Sequence, residues 1–298
     1  MCFYVFLVNA PLYAQKVDSL RVLAFTERIR PAPATVFTKF RDAGMNPTVH
    51  VLTAIEKKKV DRAFSILPSL HQKILKEHLH SISFMDNMPN TAFTSPVEPA
   101  GPKKMFNITF RAGILNETIS EWATWKENTY YTTSEKNAFQ VIIEGGDLDA
   151  ITYILLHEAT HIVDAVLNIT PQPDENDDLA APNPFITGVW HNRNEPLEKF
   201  IDPILETTRF RSGKPMAISS AANVYKALLD TPFASLYSMA SWHEDLAELL
   251  TIYHLTGKMD QPYKILVRKN GEVVFAYEPF SNGQVVKRRS ELMIFYAP

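Results

Sequence analysis

The amino-acid sequence predicts an α+β fold, in which a long buried helix lies among short strands and behind a helical amino-terminal region. Residues 147–168 contain neither Gly nor Pro and are apolar almost all round, which is typical of a helix in the core of a large protein. Short β-rich runs precede this helix, at 106–112 and 139–143. Two further runs close the chain and flank Asn270-Gly271, a dipeptide that favours the tight turn of a β-hairpin.

The other elements follow from local patterns. Thr53 and Glu56 form a capping box before one helix, and apolar residues recur at helical spacing after Pro68, so residues 15–82 are predicted to be largely helical. The histidines of this region fall mainly at polar positions and are expected to face solvent: His71, His78 and His80. A short helix is predicted over 119–127, and a turn at 144–146 is expected to lead to an Asp147 N-cap of the long helix.

Residues 1–14 resemble a secretory signal peptide. Residues 2–8 are continuously apolar, and Leu12-Tyr13-Ala14 before Gln15 resembles a signal-peptidase site, although no basic residue precedes the apolar run. The alternatives for this segment are a buried strand or a short anchor. A signal peptide would direct export, so we expect a secreted or periplasmic protein. Cys2 is the only cysteine, so residues 15–298 contain no thiolate for a disulfide, a nucleophile or a zinc site.

Composition limits the classes of partner. The 298 residues are 46% hydrophobic and 21% charged, enough to bury a sizeable core in one domain or two packed lobes. A net charge of −3 predicts no basic surface for nucleic acid or acidic membranes. Apart from the amino-terminal segment, no apolar run approaches the ~20 residues that span a bilayer, so stable membrane insertion is not expected. The acidic run 174–178 is interpreted as part of an exposed loop.

The long helix carries the most informative motif, His157-Glu158-Ala159-Thr160-His161. Residues four apart share one helix face, so His157 and His161 can reach one tetrahedral Zn²⁺ while Glu158 borders the water on that metal. The metzincin pattern requires Gly and His where this chain has Asp164 and Leu167, so that class of zinc peptidase is excluded. A third ligand is therefore expected farther along the chain, on a helix predicted from Ser241 toward a stop at Gly257.

At these two helices the chain resembles the gluzincin group of zincin metallopeptidases, in which a Glu on a separate downstream helix completes the zinc site. The resemblance is nearest to the lethal-factor-like branch, because Glu244-Asp245-Leu246-Ala247-Glu248 fits its ligand helix and Tyr237 lies seven residues before the first Glu. It implies a zinc site of His157, His161 and Glu244. It also implies a zincin-like core over 83–260, with the hairpin of 261–298 packed on it and the 106–112 strand as the edge that pairs with substrate.

Several alternatives stay open. Ser241 and Glu244 also fit a capping box, in which case Glu248 becomes the ligand. Residues in the intervening segment are further candidates: His191, Glu195 and Glu198. Tyr237 is alternatively a core residue, the 106–112 strand an interior strand, and Asp164 either accepts a hydrogen bond from a ligand histidine or contacts only water.

The chemistry expected from this site is zinc-dependent hydrolysis of peptide bonds in a peptide or protein substrate. Glu158 is predicted to be the general base and then the general acid, and the resemblance gives Tyr237 a role in stabilising the tetrahedral intermediate. The alternative hypothesis is a non-catalytic protein that uses the same fold for binding, with or without a metal. The sequence gives no indication of oligomeric state.

Overall fold

The structure, a computed structural model, describes residues 25–132, 138–172 and 183–297, and its mixture of helices and small sheets confirms the α+β class. The predicted signal segment and the acidic run 174–178 lie outside the described residues. Labels follow chain order within each type. The α-helices are α1 (Ala34–Asp42), α2 (Ala54–Ser65), α3 (Ser69–His78), α4 (Ile119–Asn128), α5 (Ala150–Leu167), α6 (Arg209–Ser212), α7 (Ala221–Leu228), α8 (Trp242–Tyr253) and α9 (Gly283–Lys287). The strands are β1 (Thr48–Val49), β2 (Leu79–Asp86), β3 (Ala92–Pro96), β4 (Phe106–Arg111), β5 (Tyr131–Thr132), β6 (Phe139–Glu144), β7 (Trp190–Asn192), β8 (Glu195–Pro196), β9 (Met216–Ala217), β10 (Lys264–Lys269) and β11 (Glu272–Tyr277).

The larger sheet has the strand order β1-β2-β4-β3, with β2 and β4 parallel and the outer pairs antiparallel. The prediction that the 106–112 strand forms a sheet edge is therefore wrong, because β4 lies between β2 and β3. The interior alternative is correct, and the edge strands of this sheet are β1 and β3. Periodicity along β4 shows that it is a strand but carries no information about which strands lie beside it.

The second sheet has the order β11-β10-β6 and contains the predicted carboxyl-terminal hairpin. Asn270 and Gly271 have φ values of 51° and 86°, as a two-residue type I′ turn requires. Because β10 hydrogen-bonds to β6, the hairpin shares a sheet with a strand of the 83–260 region. The boundary placed between residues 82 and 83 falls inside β2.

Helix α5, which carries the HExxH motif, packs against α2, α3, α4 and α8. It begins at Ala150, with Asp149 rather than Asp147 at the N-cap position, and it ends at Asn168 in the left-handed conformation. The Asp149 carboxylate binds Lys59 at 2.7 Å instead of capping the helix. By length and hydropathy alone α5 resembles a membrane span, but 72% of it is buried inside the protein.

Buried polar side chains connect α5 and α8 to the rest of the core. His71 is fully buried, and its Nε2 lies 3.0 Å from the Thr160 hydroxyl on α5, so the expectation that it faces solvent is wrong. Asp245 on α8 binds the Arg288 guanidinium at 2.8 Å and accepts a hydrogen bond from the Trp190 indole at 2.9 Å. These contacts join α8 to both the 183–200 segment and the carboxyl-terminal segment.

His71 gives a prediction about stability and pH. Burial, with a smaller effect of His254, lowers the pKa of His71 from its ordinary 6.5 to about 3. Between these two values the unfolded chain binds a proton that the folded chain does not, so stability decreases as pH falls through this window. Going from pH 7 to pH 5, we expect wild type to lose about 2 kcal/mol more unfolding free energy than His71→Gln does.

Urea unfolding of both proteins at the two pH values measures this difference. His191→Gln is the matched control, because His191 is exposed and its replacement should leave the pH dependence of wild type unchanged. Equal losses in wild type and His71→Gln would contradict the prediction.

Candidate metal centre

Helices α5 and α8 bring three ligand atoms together at one point of their interface. The Nε2 atoms of His157 and His161 are 3.2 Å apart. The Oε2 atom of Glu244 lies 3.1 Å from the first of these nitrogens and 3.5 Å from the second. Among the described residues these three side chains form a group able to hold a metal ion.

The spacing of the three atoms can be compared with the geometry of bound zinc. Nitrogen and oxygen ligands held at about 2.05 Å in a tetrahedron lie roughly 3.3 Å from one another. The observed separations of 3.1, 3.2 and 3.5 Å scatter around this value. The donor set of two imidazoles and one carboxylate is also that of many catalytic zinc sites. The residues therefore fit a zinc ion with one open position.

The structure distinguishes between the roles of Glu244 and Glu248. Ser241 accepts a hydrogen bond from the Glu244 backbone N–H at 3.3 Å, but the Glu244 side chain turns toward the histidines rather than back to Ser241. Only half of the capping box forms. Glu248 lies one turn later on α8 and contacts the other edge of the His157 ring.

Glu248 is placed to orient His157. Its Oε1 atom lies 3.1 Å from His157 Nδ1, at an angle outside hydrogen-bond geometry, and 3.3 Å from Lys126 Nζ. Its Oε2 accepts a hydrogen bond from Ser235 at 2.7 Å. Burial opposes ionisation of Glu248, but Lys126, His157 and Ser235 outweigh it and lower its pKa. An ionised carboxylate at Nδ1 leaves Nε2 of His157 to face the ligand group, as in other histidine metal sites.

The electrostatics of the group favour positive charge. Burial disfavours the imidazolium form of His157, but Glu244 and Glu248 outweigh burial and raise its pKa. The pKa of His161 is raised in the same way, chiefly by Glu244, and the two histidines in turn hold the pKa of Glu244 well below its ordinary value. Carboxylates that stabilise a proton on these rings also stabilise a divalent cation between them.

Glu158 lies beside the ligand group and faces a cleft of about 430 Å³. Its Oε2 accepts a hydrogen bond from the Thr94 hydroxyl at 2.5 Å, so the edge strand β3 holds one oxygen of the carboxylate. The Tyr237 ring stacks on His157, with centroids 5.7 Å apart, and also lines the cleft. Burial and the nearby carboxylates raise the pKa of Tyr237, so its hydroxyl is a neutral donor.

Asp164 does not serve the ligand histidines. Its carboxylate accepts hydrogen bonds from the Thr170 backbone N–H and hydroxyl, both at 2.6 Å, and lies 2.9 Å from His243 Nδ1. It is 2% exposed, so the water-contact alternative does not hold either. Asp164 instead joins the end of α5 to the start of α8.

The remaining candidates lie outside the ligand group that the described residues form. His191 and Glu195 belong to the β7–β8 hairpin, where Glu195 accepts a hydrogen bond from Asn192, and Glu198 begins a short 3₁₀ turn. Three residues at the site were not found from sequence: Thr94, Ser235 and Lys126. Each comes from an element distant in the chain, and its residue type alone carries no signal of the contact it makes.

Comparisons with protein-family models, with curated proteins and with solved structures find no match for this chain.

The geometry predicts which side chains control metal binding. We expect one zinc ion per chain, and we expect His157→Ala, His161→Ala and Glu244→Gln to lose stoichiometric zinc. Glu248→Gln should keep the ion with an affinity lower by about 10- to 100-fold, because residues that orient a metal ligand have effects of this size. Elemental analysis after dialysis and competition with a chromogenic chelator measure the two effects.

The matched control is Glu195→Gln, which replaces an exposed carboxylate of the β7–β8 hairpin and should leave zinc binding unchanged. Stoichiometric zinc in Glu244→Gln together with its loss in Glu248→Gln would reverse the assignment of the two glutamates.

Proposed function

We propose that this chain is a zinc-dependent peptidase with a zincin-like fold of the gluzincin type, nearest to the lethal-factor-like branch. The observation that carries the proposal is the tetrahedral spacing of His157 Nε2, His161 Nε2 and Glu244 Oε2 with Glu158 directly beside them. A site kept only for structure does not need an acid–base residue next to an open position. The presence of Glu158 therefore favours an enzyme over a non-catalytic binding protein.

The residues of the site have separate parts in the proposed hydrolysis. His157, His161 and Glu244 would hold the zinc ion, which would supply a water of lowered pKa and a Lewis acid for the carbonyl group. Glu158 takes the proton of the attacking water and passes it to the departing amine. Thr94 holds one oxygen of the Glu158 carboxylate by a hydrogen bond and so restricts its orientation. The Tyr237 hydroxyl donates a hydrogen bond to the oxygen on which negative charge develops.

Strand β3 supports the proposed binding of an extended substrate. Arg111 donates to the Thr91 carbonyl and Val97 donates to the Met105 carbonyl, at the two ends of the β3–β4 pair. Because bonded residues alternate along an antiparallel pair, the backbone groups of Ala92 and Thr94 face the outer side of β3. Among the described residues no strand pairs with that side. A peptide can therefore add to this edge beside Glu158.

The first test of the proposal is Glu158→Gln. This variant keeps the three ligands and should bind zinc normally, but peptide hydrolysis should decrease by about 10²- to 10⁴-fold because general acid–base catalysis is lost. Rates on substrates found in a broad peptide library, together with zinc content, measure both properties.

Thr94→Val is a second, milder variant. It keeps Glu158 but removes the hydroxyl that holds its carboxylate, so the rate of peptide hydrolysis should fall by less than in Glu158→Gln. Full turnover in Glu158→Gln would reject the mechanism. Stoichiometric zinc in wild type without cleavage of any peptide would favour the binding-protein alternative.

The second test concerns Tyr237. Tyr237→Phe removes only the hydroxyl, and we expect kcat to fall by about 10²- to 10³-fold, as for other oxyanion donors, with KM and zinc content nearly unchanged. Steady-state kinetics on one library substrate measures this. Wild-type kcat in Tyr237→Phe would show that the ring serves only to pack against His157.

A further inference from the structure

The cleft beside α5 contains hydrogen-bond donors that the proposed mechanism does not use. It lies between α4, α5, α6 and the loop that leads into β3. Its walls are largely aromatic, with Trp122, Trp125 and Phe210 among the lining residues. Two cationic side chains, Lys126 and Arg209, also line it. The cleft therefore combines apolar surface with positive charge.

The charges of the two cations are balanced differently. Lys126 is matched by Glu248, whose Oε1 lies 3.3 Å away. Arg209 donates to the Thr129 backbone carbonyl at 2.9 Å, and within the described parts of the chain no carboxylate lies at ion-pair distance from it. Arg211, two residues later, is matched by Glu206 at 3.0 Å and does not line the cleft. Among the residues that the structure describes, Arg209 is thus the cation of the cleft without a carboxylate partner.

Tyr130 supplies a second unused donor on the same wall. It lines the cleft and is 4% exposed, and its buried hydroxyl has no hydrogen-bond partner among the residues that the structure describes. Burial, with smaller effects of Glu127 and Glu248, raises the pKa of Tyr130 well above the ordinary value, so the hydroxyl keeps its proton. The Tyr130 ring meets Phe210 edge-on at 4.6 Å, and Phe210 follows Arg209 in the chain. A buried hydroxyl without a partner is costly unless a ligand or water accepts its hydrogen bond.

We infer that this cleft binds a carboxylate of the substrate on the carboxyl-terminal side of the cleaved bond, with Arg209 and Tyr130 as specificity-determining residues. A cation and a neutral hydroxyl donor on aromatic walls suit a group that has only acceptors, and charge-assisted hydrogen bonds to carboxylates are among the strongest in proteins. The inference rests on the proposed peptidase function.

The direction follows from antiparallel addition to β3, which is also the pairing that β3 makes with β4. A peptide that adds antiparallel to β3 runs with its carboxyl-terminal half toward Ala92 and residues 89–91. Those residues line the cleft together with Arg209. The side chain or terminus that follows the cleaved bond is therefore the part of the substrate that enters. The carboxylate has two possible sources, an acidic side chain and the free carboxyl terminus of a short peptide.

The experiment uses four versions of one peptide that the zinc-loaded enzyme cleaves, with Glu or Gln after the cleaved bond and a free or amidated carboxyl terminus. kcat/KM is measured with wild type, and affinity is measured with zinc-loaded Glu158→Gln through the fluorescence of Trp122 and Trp125. We expect at least about a tenfold advantage for the carboxylate, either Glu over Gln or free over amidated. Whichever pair shows the advantage identifies the source.

Arg209→Gln and Tyr130→Phe, each alone and combined with Glu158→Gln, should abolish or strongly reduce this advantage, whereas Arg211→Gln should retain it. Equal kcat/KM values for the four peptides, or an advantage of the carboxylate that survives Arg209→Gln, would overturn the inference. The peptidase proposal would remain, because the enzyme would still cleave the peptides. If wild type cleaves none of a peptide library, the same four versions of a library peptide are tested for binding alone. An Arg209-dependent advantage in that binding would support the carboxylate site and reject the peptidase proposal, and neither binding nor cleavage would reject both.

Discussion

The packing of α5 against α8 is the constraint on which the site depends. The two helices are separated by more than seventy residues in sequence. For the three candidate ligand atoms to meet, the side chains on their facing surfaces must nevertheless be positioned closely relative to one another. Polar contacts fix this relation at two points along the interface, with Glu248 against His157 and His243 against Asp164. Asp245, on another face of α8, holds the helix to Arg288 and Trp190. The apolar contacts between the helices supply attraction, whereas these polar contacts determine their register.

Carboxylates and hydrogen-bond donors are concentrated in different parts of the site. Carboxylates gather at the ligand group, where they favour a cation, and donors gather in the adjoining cleft. Lys126 stands between the two regions, because its ammonium group binds Glu248 and also lies 4.4 Å from the centre of the Tyr237 ring. It balances the charge of a buried carboxylate whose other contacts are the Ser235 hydroxyl and the His157 ring. One lysine therefore contacts both the carboxylate beside His157 and the tyrosine that lines the cleft.

The sequence predicted the elements that local patterns encode. The capping box at Thr53, the helix near 119–127, the strand at 139–143 and the Asn-Gly hairpin all appear close to their predicted positions. The HExxH spacing on α5 identified His157 and His161, and the resemblance of α8 to a gluzincin ligand helix identified Glu244. These are the three side chains that converge in the structure. The order of strands, the burial of His71 and the uses of Asp164 and Thr94 depend on partners far away in the chain. One-dimensional periodicity contains no information about such partners.

Glu244 shows why the partner of a side chain is difficult to predict from sequence. In the pattern Ser241-x-x-Glu244 the carboxylate has two acceptable positions, one against the Ser241 backbone and one against the histidines of α5. A capping contact is typically worth about 1 kcal/mol, whereas hydrogen bonds to a charged group are worth about 1.5–3 kcal/mol each. In the second position Glu244 forms a hydrogen bond with His157 at 3.1 Å and lies 3.5 Å from His161, so the contact between helices prevails over the local one. Ser241 keeps its own capping bond, while the Glu244 side chain leaves the local contact for one between helices. Only the packed structure contains the second helix, so the sequence around Ser241 does not reveal this choice.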